Sequence, residues 1–445
     1  MAIFSRRVLQ RIINENNSIL RRGQLAKHVD ALNRANEESL AFEWEAVLLN
    51  ALSKVGTVVY EPDLGSQNKV DLHFSSDIDP SQSFIADITT VSDKGYEAEN
   101  PVRAFHEELL RILRKSGLNP NHFSLDIGGE TEGQFEKRKM KLKLPSPGKF
   151  KEIFNESFDE FIREVIRKRD MSNSFVMRTE FFDVSISYNP NQKYFMSHYP
   201  SYTTAYSPTN NPVYNSLKRK VRQIKKINYE GTLAIFLCDG GSNLLNNKGY
   251  AGLDYGFDDI IWNFLRQNSS ISFVLTFIVE RSDRWPHLMG DPYIDIQLFK
   301  NNPTFESVGD DILSCIEKLP QVLPKPINDV TNAINYLRSG RGREGLSNYG
   351  GFLMTERTAK ISSRALLELL SGRITQEKFL SDHHLIPTES RKEAVNFFDL
   401  RLGEGKLIND IRLEKSDTED DDWIIIQFGE PDPAVSSFEV PNASS

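Results

Sequence analysis

Two aspartates stand where a β-sheet normally places apolar side chains, in the stretch KVDLHFSSDIDPSQSFIADITTVSD at residues 69–93. Asp71 follows Val70 at the start of one predicted strand, and Asp87 lies between apolar neighbours in the next. A carboxylate inside an apolar strand is unfavourable unless it is paired or binds a cation. Carboxylate oxygens are the ligands that Mg²⁺ and Mn²⁺ prefer in proteins. The stretch therefore predicts a site for one of these ions.

A hairpin would bring the two carboxylates together. The predicted strands 69–74 and 83–91 are joined by the polar segment SSDIDPSQS. In an antiparallel pair the start of the first strand lies opposite the end of the second, so Asp71 and Asp87 can meet. Side chains alternate between the faces of a strand, so Thr89 projects on the same side as Asp87. A glutamate of the preceding helix would complete the oxygen cluster.

Helices and strands alternate along residues 39–280, and several of the strands are apolar throughout. This pattern predicts an α/β fold with a mixed β-sheet flanked by helices on both faces. The predicted strands are 57–62, 69–74, 83–91, 122–129, 181–189, 231–241 and 271–280, and the predicted helices are 39–55, 100–117, 150–169, 212–227 and 257–267.

The domain organisation follows from composition and periodicity. An N-terminal helical arm is expected at 1–38 and the α/β domain at 39–320. A linker at 321–351 ends in a glycine-rich segment, 339–351. A smaller, mainly helical C-terminal domain with one strand at 421–428 covers 352–428, and a Pro/Ser-containing flexible tail covers 429–445.

The overall composition is that of a cytoplasmic globular protein. Hydrophobic residues make up 39% and charged residues 26% of the 445-residue chain, without an apolar run of membrane-spanning length. The N-terminus lacks the apolar core of a secretory signal. The two cysteines, Cys238 and Cys315, have apolar neighbours and form no zinc pattern. We therefore expect a cytoplasmic protein with no membrane partner.

Basic residues are concentrated in two segments, although the net charge is −8. Residues 137–151 hold seven basic residues and no acidic one, and residues 216–226 hold six and none. An acidic run at 414–422 balances them elsewhere in the chain. Such segregation can create a positive stripe on an acidic protein, and a solvated helix face or loop is the alternative interpretation.

The order of elements and acidic residues over about residues 40–280 resembles the PD-(D/E)xK nuclease superfamily, whose core is the restriction-endonuclease-like fold. Glu43 or Glu45, then Asp71, then Asp87 match its helix glutamate and its two strand acids. Thr89 stands where the family places lysine. Lys220 and Gln223 match the K-x-x-Q helix that precedes a later strand in some bacterial members.

The resemblance implies a role for each matched residue. Asp71 and Asp87 would be the principal ligands of Mg²⁺ or Mn²⁺, with the Ile88 carbonyl as a further ligand. Glu43 or Glu45 would hold a second ion or a metal-bound water. Lys220 and Gln223 would stand beside the scissile phosphate. The basic residues that would hold the nucleic-acid backbone are Lys218, Arg219, Arg222, Lys225, Lys226, Lys139, Lys141 and Lys143.

The predicted function is a metal-dependent phosphodiesterase that cleaves DNA, with RNA as an alternative substrate. The resemblance further implies a bacterial restriction or anti-phage effector. The chain carries no NTPase motif, so an energy-coupled step would need a partner such as an ATPase. Self-association is left open. One alternative is a catalytically inactive binding module in which Thr89 marks the loss of activity. Another is an unrelated small-molecule enzyme, if Asp71 and Asp87 lie far apart.

Overall fold

The chain folds into two units that each combine distant segments of the sequence. Unit 1 comprises residues 1–51, 279–294 and 322–445, and unit 2 comprises 52–278 and 295–321. The computed structural model describes residues 3–34, 36–65, 69–134, 137–227, 229, 231–249, 254–282, 290–301, 308–338, 353–354, 357–382, 396–417 and 420–432.

The helices and strands have the following bounds. The helices are α1 (Arg6–Asn16), α2 (Arg22–Asn33), α3 (Ser39–Ser53), α4 (Lys94–Glu99), α5 (Val102–Lys115), α6 (Glu156–Arg167), α7 (Pro212–Ile224), α8 (Phe257–Gln267), α9 (Asp310–Val322), α10 (Val330–Arg338), α11 (Ser363–Leu370), α12 (Gln376–Asp382) and α13 (Phe397–Gly403). The strands are β1 (Thr57–Tyr60), β2 (Leu72–Ser75), β3 (Ser83–Val91), β4 (Phe123–Ile127), β5 (Gly129–Glu132), β6 (Lys139–Leu142), β7 (Asn173–Arg178), β8 (Asp183–Tyr188), β9 (Met196–His198), β10 (Thr232–Asp239), β11 (Phe273–Arg281), β12 (Pro292–Lys300), β13 (Leu353–Met354), β14 (Thr358–Ser362), β15 (Ile408–Glu414) and β16 (Trp423–Phe428).

The main sheet has the strand order β1-β2-β3-β10-β11-β12. Strands β1, β2 and β3 form an antiparallel meander, whereas β10 pairs parallel to both β3 and β11. The central strands are buried along most of their length. This burial accounts for their continuous apolar sequences, because strands covered on both faces need no alternation of polar side chains.

Helices α7 and α8 cover one face of this sheet. Leu217 and Val221 of α7 belong to one buried cluster with Ile85 of β3 and Ile235 of β10. Ile85 and Asp87 share a strand face because they are two residues apart. Helix α7, which packs on Ile85, therefore lies over the strand face that carries Asp87. The opposite face carries a group of contacting phenylalanines: Phe74, Phe84, Phe236, Phe273 and Phe277.

A second sheet, in the order β7-β8-β4-β9, is inserted between β3 and α7 in the chain. Its core includes Phe105 and Leu109 of α5 and Phe158 and Phe161 of α6. The separate hairpin β5–β6 carries part of the first basic segment. In unit 1, a sheet in the order β13-β14-β16-β15 packs around Ala359, Ile361, Ile426 and Phe428.

The mixed α/β class predicted from the sequence is confirmed. Strand β3 and helix α8 have the predicted bounds. Strands β5, β6, β7, β9, β12, β13, β14 and β15 were not predicted, and the predicted linker contains helix α10. The C-terminal part, which was predicted to be mainly helical with one strand, also contains a four-stranded sheet. The segment 339–351 and residues 433–445 lie outside the described residues. In the part that is described, no helix has both the length and the apolar character of a membrane span.

Candidate active site

The Asp87 side chain is fully buried at the centre of the main sheet. Strand β3 lies between β2 and β10, and Leu72 of β2 pairs with Ala86 of β3. Antiparallel register then continues to Asp71 opposite Asp87. The meeting of the two carboxylates therefore follows from the pairing of β2 with β3.

Backbone hydrogen bonds fix both carboxylates. The Asp71 backbone N–H donates to Asp87 Oδ1 at 3.1 Å, and the Ile88 N–H donates to Asp71 Oδ2 at 2.7 Å. Asp71 keeps 24% of its side chain exposed, whereas Asp87 is inaccessible to solvent. One carboxylate thus lies at the edge of the cluster and the other lies beneath it.

Lys220 supplies the positive charge of this cluster. Its Nζ lies 3.1 Å from Asp71 Oδ2 and 3.6 Å from Asp87 Oδ1. Helix α7 begins with Pro212, and the Asn211 side chain accepts a hydrogen bond from the Tyr214 N–H at 2.9 Å. The apolar face of this helix packs on the sheet, and Lys220 lies at the margin of that face.

Gln223 lies one turn after Lys220 on the same side of α7. Its Nε2 donates a hydrogen bond to the Lys69 carbonyl at 2.9 Å, and Lys69 lies just before β2. This hydrogen bond ties α7 to the chain entering β2. The structure thus brings Lys220 and Gln223 of α7 next to Asp71 and Lys69, which lie about 150 positions earlier in the sequence.

Burial dominates the electrostatics of Asp87. The pKa of Asp87 is raised to about 7; desolvation is the largest cause, the neighbouring Asp71 carboxylate acts in the same direction, and Lys220 acts in the opposite direction. Among the described residues, Asp87 Oδ2 has no hydrogen-bond partner. A buried acceptor without a protein partner is rare in folded proteins, and such an atom commonly contacts an ion or a bound water.

The residues present fit a divalent cation held by few protein ligands. The described residues contain no group of three or more His, Cys, Asp or Glu side chains that could hold a metal. Mg²⁺, however, commonly binds through one or two carboxylates and keeps several waters. The unpartnered Asp87 Oδ2 and the part-exposed Asp71 carboxylate match this donor set. Ile88, whose carbonyl was the further predicted ligand, adjoins Asp87 in β3.

The two candidate glutamates of α3 have other described partners. Glu43 belongs to unit 1, where its Oε2 accepts hydrogen bonds from the N–H groups of Ile3 at 3.1 Å and Phe4 at 3.4 Å. Burial raises the pKa of Glu43 to about 8. Glu45 Oε1 lies 3.4 Å from His28 Nε2. These contacts anchor the N-terminal segment and α2 on α3, a structural role for both glutamates.

Arg219 reaches the position where the resemblance expects a lysine. Its Nη2 donates to Thr89 Oγ1 at 3.5 Å, and Thr89 lies two residues beyond Asp87 on the same strand face. Arg219 was assigned from the sequence to contacts with the nucleic-acid backbone. Its distance from Thr89 could not be predicted, because that distance is set by how α7 packs on β3. The only available signal was its position next to Lys220.

The other predicted basic residues fall into two groups. Lys218, Arg222, Lys225 and Lys226 are exposed on or just after α7 and form no ion pair within the described residues; Lys218 Nζ lies 5.6 Å from the Tyr214 ring centroid. The hairpin lysines are paired: Lys139 with Glu99 at 2.5 Å, Lys141 with Glu132 at 3.0 Å and Lys143 with Glu130 at 3.0 Å.

Comparison with family profiles, with curated proteins and with solved structures finds no significant match for this chain. The cluster formed by Asp71, Asp87 and Lys220 is therefore the feature from which a function can be inferred.

Proposed function

We propose that the protein is a metal-dependent phosphodiesterase that cleaves DNA, with its active site at Asp71, Asp87 and Lys220. The observation that carries the proposal is the approach of two carboxylates from adjacent strands to one lysine, 3.1 and 3.6 Å away. The order of elements supports it, because the hairpin β2–β3 is followed later in the chain by helix α7 and strand β10, as the restriction-endonuclease-like core has a hairpin of strands, a helix and a further strand.

The proposed chemistry divides among few residues. Asp71 and Asp87 would hold Mg²⁺ or Mn²⁺, with the Ile88 carbonyl as a further ligand. When bound, such an ion neutralises phosphate oxygens and lowers the pKa of a coordinated water. Lys220 would stabilise the negative charge that develops on the phosphate, and Gln223 would hold α7 in place for this role. Arg219 beside Thr89 would supply the second cation.

The exposed basic side chains of α7 would contact the nucleic-acid backbone. Contacts of this kind carry no sequence information and weaken as salt concentration rises. DNA is the proposed substrate, and RNA is the alternative to be compared in the same assay. In the proposed setting, the chain acts in the cytoplasm as the nuclease of a restriction or anti-phage system together with a partner ATPase.

One observation favours a second candidate, a binding module without catalysis. Lys220 balances the charge of one carboxylate, and the raised pKa of Asp87, about 7, favours the protonated form of the other. Glu43 is satisfied by backbone amides of its own unit. A cluster balanced in this way is stable without a metal. In that case the α7 surface would still bind nucleic acid, and Asp87 would serve only to position Lys220.

Plasmid nicking distinguishes the two candidates. The purified chain is incubated with supercoiled plasmid and Mg²⁺, Mn²⁺ or EDTA, and Asp87→Asn is compared with Asp170→Asn, a change at an exposed site in unit 2. A nuclease nicks with a divalent ion, loses this activity in Asp87→Asn and keeps DNA binding. Absence of cleavage with every ion, together with retained binding, would reject the enzyme in favour of the binding module.

A further inference from the structure

In the part of the chain that the structure describes, strand β15 is an open edge of the unit 1 sheet. It pairs with β16 on one side, and it is the last strand in the order β13-β14-β16-β15. All seven of its residues are exposed, including the large apolar side chains of Ile411 and Leu413 at 59% and 51%. An edge strand with exposed apolar residues presents free backbone donors and acceptors for another strand.

The register with β16 separates the apolar and charged side chains of β15. Ile411 pairs with Ile426, whose side chain is part of the unit 1 core, so Ile411 lies on the core side of the sheet. Asp410 and Arg412 pair with Gln427 and Ile425 and therefore lie on the other side. Within the described residues neither Asp410 nor Arg412 forms an ion pair, so opposite charges two residues apart face solvent along the open edge.

We propose that β15 pairs with β15 of a second copy of the chain, antiparallel about a two-fold axis at Ile411. In this register Asp410 of each copy lies opposite Arg412 of the other, which creates two cross-strand ion pairs. Ile411 lies opposite Ile411 on the other face. A two-fold interface uses the same patch on both copies, so a self-complementary strand satisfies it.

The charges select this register over its neighbours. Centring the axis on Asp410 would place Asp410 opposite itself, and centring it on Arg412 would place Arg412 opposite itself and Asp410 opposite Glu414. Like charges directly opposite each other destabilise a strand pair. A one-residue slip would move the apolar side chains to the other face. An axis at Leu413 would place Arg412 opposite Glu414, but Glu414 already forms an ion pair with Lys360 at 2.9 Å. The Ile411-centred pairing instead joins Asp410 and Arg412, which form no ion pair within the described residues.

The test is a charge reversal followed by mixing. Sedimentation velocity of the full chain should show a monomer–dimer equilibrium. Asp410→Arg and Arg412→Asp should each weaken dimerisation by about tenfold or more, because each creates two like-charge pairs. An equimolar mixture of the two variants should form a heterodimer at wild-type strength, because its cross-strand pairs are again of opposite charge. Glu377→Arg, an exposed change on α12, should leave the equilibrium unaltered.

The mixing step separates cross-strand pairing from a change within one chain. If the mixture stays monomeric while each variant melts like the wild type, the proposed register is wrong. A wild-type chain that remains monomeric at every concentration rejects the dimer altogether. A dimer that survives both reversals uses another surface and also overturns the proposal. None of these readouts involves DNA cleavage.

Discussion

The two basic segments of the chain are alike in sequence and differ in structure. In the β5–β6 hairpin, the glutamates of β5 form ion pairs across the strands, Glu132 with Lys141 and Glu130 with Lys143, so the partner strand neutralises the basic one. In α7, side chains three and four positions apart are neighbours, and these neighbours are largely basic or apolar. Counting charges along a segment therefore predicts its electrostatic potential only when the opposing element is known.

The two basic segments are expected to have different roles. The hairpin lysines are held in surface ion pairs, which contribute little to stability and leave little charge for a ligand. Helix α7 directs Lys220 and Arg219 toward β3 and leaves Arg222 and Lys225 exposed. We therefore expect catalysis and nucleic-acid binding to depend on α7 and to be insensitive to the hairpin.

The sharpest contrast is expected from removing one lysine in each segment. Lys220→Ala should reduce the single-turnover cleavage rate by roughly 10²-fold or more with little loss of affinity, because it removes a contact that strengthens as charge develops on the phosphate. Lys141→Ala should leave the rate unchanged. Cleavage is measured with saturating enzyme and thermal melts verify folding. If Lys220→Ala loses affinity alone, Lys220 is an ordinary phosphate contact.

A second contrast concerns pH. The folded state keeps the Asp87 proton up to about pH 7, while an unfolded aspartate releases it near pH 4. The folded state thus binds more protons between these values, so the free energy of unfolding should fall as pH rises through this range, by up to about 1.4 kcal/mol per pH unit. Above about pH 7 this contribution should level off.

Denaturant unfolding in EDTA from pH 4 to pH 8 measures this effect. Asp87→Asn should reduce the slope of the pH profile over that range, because the amide does not titrate, whereas Glu43 with its raised pKa still contributes to the slope. Lys141→Ala should keep the wild-type profile, since the hairpin pairs are exposed. An unchanged profile in Asp87→Asn would mean that another group, such as Glu43 with its raised pKa, causes the dependence.

The sequence was sufficient for those parts of the fold that depend on local pattern. Asp87 was found because a carboxylate inside an apolar strand conflicts with its surroundings, and the hairpin with Asp71 followed from turn residues and strand parity. Lys220 and Gln223 were predicted because they match the K-x-x-Q helix of the family that the sequence resembles, and the structure places Lys220 beside Asp71 and Gln223 beside Lys69. Each of these predictions needed only near neighbours in the chain or the resemblance to a family pattern.

The remaining features depend on contacts between distant residues. The pairing of β5 with β6 and of Lys139 with Glu99 cannot be read from the basic segment alone. Glu43 was a candidate ligand because it matches the helix glutamate of the resembled family, and that match does not show that the N–H groups of Ile3 and Phe4 donate to its Oε2. The acceptor of Arg219 likewise depends on how α7 packs on β3.

The smallest expected effect is a change in DNA-binding affinity. It tests the difference between the two basic segments without measuring cleavage. Each phosphate contact that is removed should lower the slope of log K against log[salt] by about one. Arg222→Ala and Lys225→Ala should each show this change and weaken DNA binding several-fold at moderate salt. Lys139→Ala and Lys141→Ala should leave slope and affinity unaltered, because their charges are already neutralised by Glu99 and Glu132.

Removing an acidic partner in the hairpin gives a test in which the salt slope is expected to change if DNA passes near the hairpin. Glu132→Gln removes the partner of Lys141 and should free one positive charge, so the salt slope should rise if DNA passes near the hairpin. A slope that stays at the wild-type value places the bound DNA on α7 alone. If Lys141→Ala reduces binding as much as Arg222→Ala, the ion pairs of the hairpin open on binding, and the distinction between the two segments does not hold for the complex.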